Sequence, residues 1–440
     1  MAKLLDRYFH LTESKTTLPR EIVAGITSFF TVAYVLVLIP ATLSQTGMDF
    51  EASMVATILI AAYSSAMMGL VANYPFILGP GVGLCVYFTY SIVLGSGHIW
   101  QIALGFVFFV GIILLILNLS KIRQLIIRVI PTNLRLATTA GLGLFLALIG
   151  LKNGGIIAFN ADTTWLSFGD LRSITPIMAA LALVIMSILM IFRVPGALFL
   201  GMIIVWLISL FLGLSTFNGI VSWPSSLKPL FFDLDVRGIF TVHHHLDALV
   251  SLLFVTLFNS TGSLLGLAEE GRFVIEENNQ CRFPRVSRAL LPDTTGTILA
   301  PLLGTTPVAV YLESAAGLHV GGRTGLVSLT AGLCFLIALF FTPIATSIPL
   351  FATAPILVIV GGLMLKSIMA INWKDPSDWI PAFLTLILIP LTYSIAIGIA
   401  VGYITYCSLK LFSGKLKEVH WLSWILAILF ILKFIFFPNL

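Results

Sequence analysis

The sequence predicts an all-α polytopic membrane protein, and three observations lead to this fold class. The 440-residue chain is 58% hydrophobic and only 10% charged, whereas soluble domains carry about 25% charged residues. Its apolar residues fall into runs long enough to span a bilayer, which takes about 20 residues. Most of its 24 Lys and Arg residues lie in alternate loops between these runs. That pattern indicates membrane topology. Because topology accounts for the net charge of +5, we expect no nucleic-acid partner.

The apolar runs predict about 14 transmembrane segments of about 20 residues or fewer, divided seven and seven by a long loop. The predicted segments are 22–43, 52–72, 76–95, 101–119, 133–151, 174–192 and 195–214, followed by 246–268, 287–303, 304–320, 324–342, 347–367, 379–392 and 394–411. We therefore divide the chain into a cytoplasmic lead-in (1–21), a first repeat (22–214), an extracytoplasmic linker (215–245), a second repeat (246–411) and a hydrophobic C-terminal segment (412–440). The last run, Trp421–Phe437, predicts either a further span or a peripheral helix.

An odd number of spans in each half places the halves in opposite orientations, as in an inverted repeat. The third segment of each half, the third and tenth of the chain, is interrupted, by GPGVG from Gly79 and by GTTP from Gly304. The letters LGPGVGLCVYFTY from Leu78 and LGTTPVAVYLESA from Leu303 also match loosely.

The basic residues place the N-terminus in the cytoplasm of a multi-pass cell-membrane protein. The charged start MAKLLDRYFHLTESKTTLPRE is typical of a cytoplasmic lead-in rather than a cleavable signal, and the short loops favour a bacterial inner membrane. KIRQLIIRVIP, from Lys121, has the spacing of an interfacial amphipathic helix. The run from His243 to His245 indicates a polar loop at a membrane boundary, with metal binding as the alternative.

The candidate substrate site is centred on Glu313, a carboxylate within an apolar run. An ionisable group at membrane depth predicts a functional site. Broken helices also expose backbone polar groups, which is tolerated only where protein or a water-filled cavity satisfies them. We therefore expect Glu313 to be the main hydrogen-bonding group. We also expect backbone N–H groups from Thr305 to Val308, with Thr306 and Val308 among the site residues, and from Gly83 to Cys85, to donate to the substrate.

The eighth segment supplies further candidate residues. Thr256, Asn259 and Ser263 share one face at i, i+3, i+7 spacing, which favours a role facing the site over simple helix–helix hydrogen bonding. Phe258, with Phe254, Tyr87 and Phe88, is a candidate to stack on a flat substrate, and packing is the alternative. Asp293 has two interpretations, a functional carboxylate or one paired with an arginine for structure.

The motifs of enzymes and ATP-driven pumps are missing from the sequence. It contains no HExxH, no Walker A motif and no GxSxG. Its four cysteines, Cys85, Cys281, Cys334 and Cys407, have no metal-ligand spacing. Three of the four lie in apolar runs, which predicts packed thiols for most of them. We therefore expect a protein that is not an enzyme and has no cofactor or metal, and that uses an ion gradient if it performs work.

The chain resembles the AzgA-like purine permeases of the nucleobase:cation symporter-2 (xanthine/uracil permease) family over nearly its whole length. The resemblance rests on REIVAGITSFFTVAYVL from Arg20, NYPFILGPGVGL from Asn73, GLGLFLALIGLKNGGII from Gly141, YLESAAGLHVGGRTGL from Tyr311 and IPAFLTLILIPLTYSIAIGIAVGY from Ile380. It implies a fourteen-span inverted repeat with a core and a gate domain. It also implies a nucleobase held between the third, eighth and tenth segments, commonly with proton symport.

Three positions depart from the pattern that this resemblance implies. The family usually has Asn at the position of Cys85 and Asp at the positions of Thr256 and Asn259, while its customary Glu is kept as Glu313. Glu313 is then the only obvious titratable group at the site and the expected proton-coupling residue.

The expected function is import of a nucleobase, most simply a purine, with a proton or another cation. The alternative is a carrier of another small solute or an anion on the same fold, with or without coupling. An anion carrier would be expected to have a basic residue or uncluttered helix ends at the site. A receptor or scaffold that transports nothing is a third class. The sequence leaves open which base is carried, whether coupling survives at Thr256 and Asn259, and whether the protein forms a homodimer.

Overall fold

The computed structural model is an almost entirely helical protein, and it describes residues 2–120, 123, 131–159, 166–240, 245–277 and 280–436. Within these ranges nine helices are long and apolar enough to cross a membrane. Further predicted segments are shorter or broken helices, so the protein is a multi-pass membrane protein of the predicted fold class.

The first half of the chain runs from α1 to α9. Its elements are α1 (Ala2–Phe9), α2 (Leu18–Val32), α3 (Val35–Leu43), α4 (Phe50–Met67), β1 (Leu78–Pro80), α5 (Val82–Val86), α6 (Trp100–Leu119), α7 (Thr132–Asn153), β2 (Ile157–Phe159), β3 (Leu166–Phe168), α8 (Ile174–Ile191) and α9 (Ala197–Phe211). Wider π-helical turns, Met68–Ala72 and Tyr87–Val93, continue α4 and α5. Helices α2 and α3 together form one spanning unit.

The second half runs from α10 to α18. Its elements are α10 (His245–Glu270), β4 (Ile275–Glu277), β5 (Gln280–Arg282), α11 (Val286–Leu303), β6 (Val308–Val310), α12 (Ala315–Val320), α13 (Gly325–Ala338), α14 (Thr342–Ser347), α15 (Leu350–Leu365), α16 (Pro376–Thr392), α17 (Ile395–Phe412) and α18 (Trp421–Phe436). The final predicted run is thus a helix. Most of the predicted interfacial helix after Lys121, together with His243 and His244, lies outside the described residues.

The helices form two groups, as the core and gate prediction requires. In the core bundle, α11 packs on α6 and α4, α13 packs on α2 and α4, and α10 packs on α6. In the gate bundle, α7 packs on α15 and α16, α9 packs on α8, and α16 packs on α17. Spans one to four and eight to eleven therefore make the core bundle, and the remaining spans make the gate bundle.

Helix starts within the core bundle are set by polar side chains. Asp49 caps α4 by accepting from the N–H of Ala52 at 2.8 Å. Glu21, although fully buried, is satisfied at the start of α13, where it accepts from the N–H of Arg323 and from both the N–H and the hydroxyl of Thr324. A buried carboxylate is tolerated when its oxygens are hydrogen-bonded in this way, so the GGRTGL stretch joins the two halves of the core bundle.

The two broken segments cross each other in the interior through the strands β1 and β6. The strands are antiparallel, with Gly79 opposite Ala309 at the centre of the register, and their residues are buried. The third segment of one half thus meets the third segment of the other, as an inverted repeat requires. The letter match that aligns Leu78 with Leu303 does not align the two strands, because the first strand begins at Leu78 and the second begins only at Val308.

A close approach of two glycines holds the gate bundle together. A Cβ added at Gly143 of α7 would come within 2.6 Å of the carbonyl oxygen of Gly361 on α15. Small residues let membrane helices approach this closely, because packing rather than the hydrophobic effect drives their association.

We expect Gly143→Val to destabilise the protein by about 1–3 kcal/mol or more, because the added methyl groups force the two helices apart. The measurement is the midpoint of thermal unfolding in detergent. The control is Gly362→Val on the same pair of helices, where an added Cβ meets nothing within 4 Å. Equal midpoints for the two variants would contradict this account of the contact.

Candidate substrate site

A cavity of about 600 Å³ lies between the two bundles. Its inner wall is formed by β6, the turn after β6 and the start of α5, and its sides by α7, α10 and α15. It extends to Arg135, Glu269 and Lys366, of which the last two are exposed. Ligand sites in proteins typically have volumes of about 300–1,000 Å³, so this is the candidate substrate site.

Glu313 lines this cavity from the 3₁₀ turn Leu312–Ser314, between β6 and α12. The hydroxyl of Tyr34 donates to one of its carboxylate oxygens, Oε1, at 2.5 Å. Tyr34 follows α2 at a point where the helical hydrogen bonding loosens into i→i−3 bonds, and its side chain is only 1% exposed. The pair leaves the second oxygen of Glu313 as the one that can face a ligand.

The turn that carries Glu313 is held by side chains on either side of it. The hydroxyl of Tyr311 donates to the carbonyl of Pro80 at 2.8 Å. The hydroxyl of Ser314 accepts from the N–H of Ile77 at 2.9 Å and donates to the carbonyl of Tyr311 at 2.7 Å. A Cβ at Gly79 would lie 2.6 Å from the Tyr311 hydroxyl oxygen, which explains the glycine there. Glu313 therefore stands on a frame built from both halves of the chain.

The half-helix α5 begins at the cavity wall. Gly81, Val82 and Gly83 line the cavity, and the N–H of Gly81 donates to the carbonyl of Pro307 at 2.9 Å. The N–H groups in the first turn of a helix have no partner within the helix and carry its positive dipole end. The residues at this helix start line the same cavity as Glu313, so the start of α5 is the part of the wall where backbone donors are expected.

Helix α10 presents a polar face to the cavity that begins at Asn259. Asn259, Gly262, Ser263 and Gly266 line the cavity, and an added Cβ at either glycine meets nothing within 4 Å. The glycines leave room beside the two polar side chains. The prediction that Thr256 belongs to this face is not met in the described conformation, because the face starts one turn later.

Five of the predicted site residues lie outside the cavity lining. The Thr256 hydroxyl donates to the carbonyl of Leu252 in its own helix at 2.7 Å, and Phe258 packs on Phe254 with ring centroids 5.8 Å apart. Both side chains are buried. In this structure Thr256 therefore makes a hydrogen bond within its own helix and Phe258 is a packing residue, which are the alternatives given for them above.

The other three are the residues expected to offer polar groups near the breaks. The thiol of Cys85 lies 3.8 Å from the carbonyl of Ile39 and near the Thr306 hydroxyl, and both residues are fully buried. The N–H of Val308 donates to the hydroxyl of Thr297 at 3.1 Å, so it is not available to a ligand. Of the seven predicted substrate-binding residues, Glu313 and Asn259 are the two that line the cavity.

The structure favours the structural interpretation of Asp293. Its carboxylate pairs with Arg123 at 2.8 Å, and both side chains are almost completely buried. Its other oxygen accepts from the hydroxyl of Ser260 at 2.8 Å. Removing one member of such a pair leaves a buried, uncompensated charge, which typically costs about 3–5 kcal/mol. Asp293 therefore supports the core bundle and lies outside the cavity lining.

Two aromatic residues of the cavity were not predicted from the sequence. Tyr34 and Tyr311 are in its lining, whereas the rings expected to stack, Phe258, Tyr87 and Phe88, lie outside that lining. Tyr311 lies two residues before Glu313, and this closeness to the candidate carboxylate is a sequence signal that could have identified it. Tyr34 lies within a long apolar run, where no signal in one sequence separates it from a packing tyrosine.

Crossed broken helices, a cavity between two bundles and a carboxylate at the crossing define the inverted-repeat class of membrane transporters. The chain belongs to the xanthine/uracil permease family, since the Permease family model matches residues 19–401. It is 38% identical to the adenine permease AdeP of Escherichia coli, over 98% of this chain and 96% of that protein. It is 39% identical to the guanine/hypoxanthine permease PbuO of Bacillus subtilis, over 97% of this chain and 99% of that protein.

Solved structures support the same fold. The transmembrane domain of the cyanobacterial bicarbonate transporter BicA aligns with a TM-score of 0.63, covering 88% of this chain and 97% of that chain at 16% identity. The structure of SLC26A9 aligns with a TM-score of 0.62 over 90% of this chain and 66% of that chain, at 10% identity. At these identities the likeness concerns the fold alone.

Filling the space beside Gly262 should close the cavity without unfolding the protein, because an added Cβ meets nothing within 4 Å there. We expect Gly262→Leu to slow, severalfold, the labelling of a cysteine introduced by Ser263→Cys with a small hydrophilic maleimide. The control Gly362→Leu adds the same side chain at another open position and should leave the labelling rate unchanged. Unchanged labelling in Gly262→Leu would mean that Ser263 is reached by another route.

Proposed function

We propose that this protein is a secondary active transporter that moves a nucleobase, a purine in particular, across the membrane by alternating access with proton symport. The observation that carries the proposal is Glu313, held by Tyr34 at the crossing of the two broken segments and facing a cavity between the two bundles. Family membership and two relatives named as adenine and guanine/hypoxanthine permeases support the substrate class.

The polar groups around the cavity suit the edge of a purine, which is flat and carries alternating donors and acceptors. The second oxygen of Glu313 can accept a ring or exocyclic N–H, and the amide of Asn259 supplies both a donor and an acceptor. The first-turn N–H groups of α5 can donate to a ring nitrogen or carbonyl. The rings of Tyr34 and Tyr311, which also line the cavity, offer the aromatic surface for a flat ligand.

Proton coupling would arise from Glu313 itself. A charged carboxylate only accepts hydrogen bonds, whereas a protonated one also offers an O–H donor. The protonated form therefore matches adjacent donor and acceptor positions of a base better than the charged form does. Binding of the proton and of the base would then favour each other, which is the thermodynamic requirement for symport.

Transport of an anion is the alternative that the fold similarity raises, since BicA is named as a bicarbonate transporter. An anion at the crossing would stand beside the carboxylate of Glu313, and like charges in a poorly solvated site repel each other strongly. The basic cavity residues, Arg135 and Lys366, lie instead at the far end of the cavity lining. The position of Glu313 therefore favours a neutral nucleobase.

The test is uptake of radiolabelled adenine, guanine, hypoxanthine and uracil, at two pH values, by cells that lack their own permeases. We expect purine uptake that increases at the lower pH, and we expect Glu313→Gln to abolish it or to remove its pH dependence. The control is Glu51→Gln, which changes an exposed carboxylate outside the cavity. Normal, pH-dependent uptake by Glu313→Gln would disprove the proton-coupling role of Glu313.

Tyr34→Phe should weaken transport while leaving the fold intact, because only the hydroxyl that holds Glu313 is lost. Hydrogen bonds to charged groups are worth about 1.5–3 kcal/mol, so we expect uptake efficiency to fall roughly tenfold to a hundredfold and the pH profile to change. The control Tyr8→Phe removes a tyrosine hydroxyl bonded to the carbonyl of Leu70, and neither residue belongs to the cavity lining. An unchanged pH profile in Tyr34→Phe would contradict the coupling of the two residues.

A further inference from the structure

The two bundles are joined by hydrogen bonds at the end of the molecule opposite the charged cavity mouth. The amide nitrogen of Asn153, at the end of α7 in the gate bundle, donates to the hydroxyl of Tyr90 at 2.6 Å. Tyr90 lies in the π-helical continuation of α5 in the core bundle and donates in turn to Gln45 at 2.8 Å. Its side chain is only 6% exposed. We name the Asn153–Tyr90–Gln45 chain of hydrogen bonds the polar tie.

A second contact between the bundles lies beside the polar tie. The hydroxyl of Ser91 donates to the carbonyl of Tyr393 at 2.5 Å, just after the end of α16. The ammonium group of Lys152 lies 5.9 Å from the centroid of the Tyr90 ring, within the range of a cation–π interaction. This end of the molecule therefore has both bundles in direct polar contact.

At the opposite end, charges of opposite sign line the cavity from the two bundles. Arg135 and Lys366 line the cavity from the gate bundle, and Glu269 and Glu270 line it from the end of α10 in the core bundle. Glu270 pairs with His319, 3.1 Å away in the core bundle. Among the described residues no ion pair joins Arg135 to Glu269. The complementary charges stand on opposite walls of the cavity.

We infer that the polar tie and the Arg135–Glu269 pair are the two alternating closures of the transporter. In the conformation described, the polar tie is formed and the charged end is open. When the gate bundle rotates against the core bundle, the bond from Asn153 to Tyr90 breaks, and Arg135 meets Glu269 to close the cavity at its other end. This inference rests on the alternating access proposed above and names the residues that carry it.

The energies of the two closures are of the size that such an equilibrium needs. A neutral hydrogen bond contributes a small net free energy in proteins, and so does a partly exposed ion pair. A conformational equilibrium between states of similar energy is shifted readily by contacts of this size. Neither closure alone is strong enough to hold the protein in one conformation, so substrate binding can shift the equilibrium between them.

The test reads the conformation directly, without transport. Cysteines replace Arg135 and Glu269 in a Cys281→Ser background, and a short bifunctional thiol reagent bridges them. A reagent is needed because a direct disulfide requires Cα atoms within about 7 Å. The two single-cysteine variants, Arg135→Cys and Glu269→Cys, are the controls. They measure any bridging between an introduced cysteine and the remaining native cysteines, Cys85, Cys334 and Cys407.

We expect the bridged fraction to increase when the polar tie is cut. Tyr90→Phe and, separately, Asn153→Ala should raise the equilibrium population of the bridged state about fivefold, the factor that corresponds to the loss of one neutral hydrogen bond. Tyr8→Phe, the same chemical change at a bond between α1 and the core bundle, should leave it unchanged. Thermal unfolding midpoints establish that each variant is folded.

Two results would overturn the inference. One is a bridged fraction that is the same with Tyr90→Phe, Asn153→Ala and Tyr8→Phe. The other is the lack of bridging above the single-cysteine controls in every background. Uptake assays separate this failure from that of the proposed function, since a chain that takes up no nucleobase can still show bridging controlled by Tyr90, and a nucleobase transporter can fail the bridging test.

Discussion

The need to satisfy backbone polar groups at membrane depth is the constraint on which the rest of the structure depends. Unpaired N–H and C=O groups cost several kcal/mol in hydrocarbon, yet both broken segments leave their helices in the middle of the protein. The pairing of β1 with β6 satisfies them, and the side chains of Tyr311 and Ser314 complete the bonding around the crossing. The frame that results is rigid, buried and made from both halves of the chain, so it can hold a carboxylate in a fixed place.

The residues on and around this frame have separate roles in the site. The strands and their glycines fix the backbone, Tyr34 fixes one oxygen of Glu313, and the first turn of α5 supplies donors that need no side chain. Side chains from α10 then add Asn259 and Ser263 to the wall. A neutral, flat ligand with donors and acceptors on its edge suits this combination of one carboxylate, one amide and backbone N–H groups.

Much of the architecture could be predicted from the sequence, because its determinants are local. Hydrophobic length and the alternation of basic loops set the spans, and GPGVG and GTTP mark the breaks. The directions of single side chains could not be predicted in the same way. Thr256 and Asn259 lie three residues apart on one predicted face, yet only Asn259 reaches the cavity. Tyr34 meets Glu313 across 279 positions of sequence, and nothing local to either residue signals that contact.

The crossing of β1 with β6 also constrains how the protein is assembled. The third segment enters the membrane long before its partner strand has been synthesised, because Leu78 must wait for Val310. Until then the backbone around Gly79 has no strand to pair with, and the first half of the chain cannot reach its final form alone. The pairing at the centre of the protein can therefore form only after the second half of the chain has been inserted.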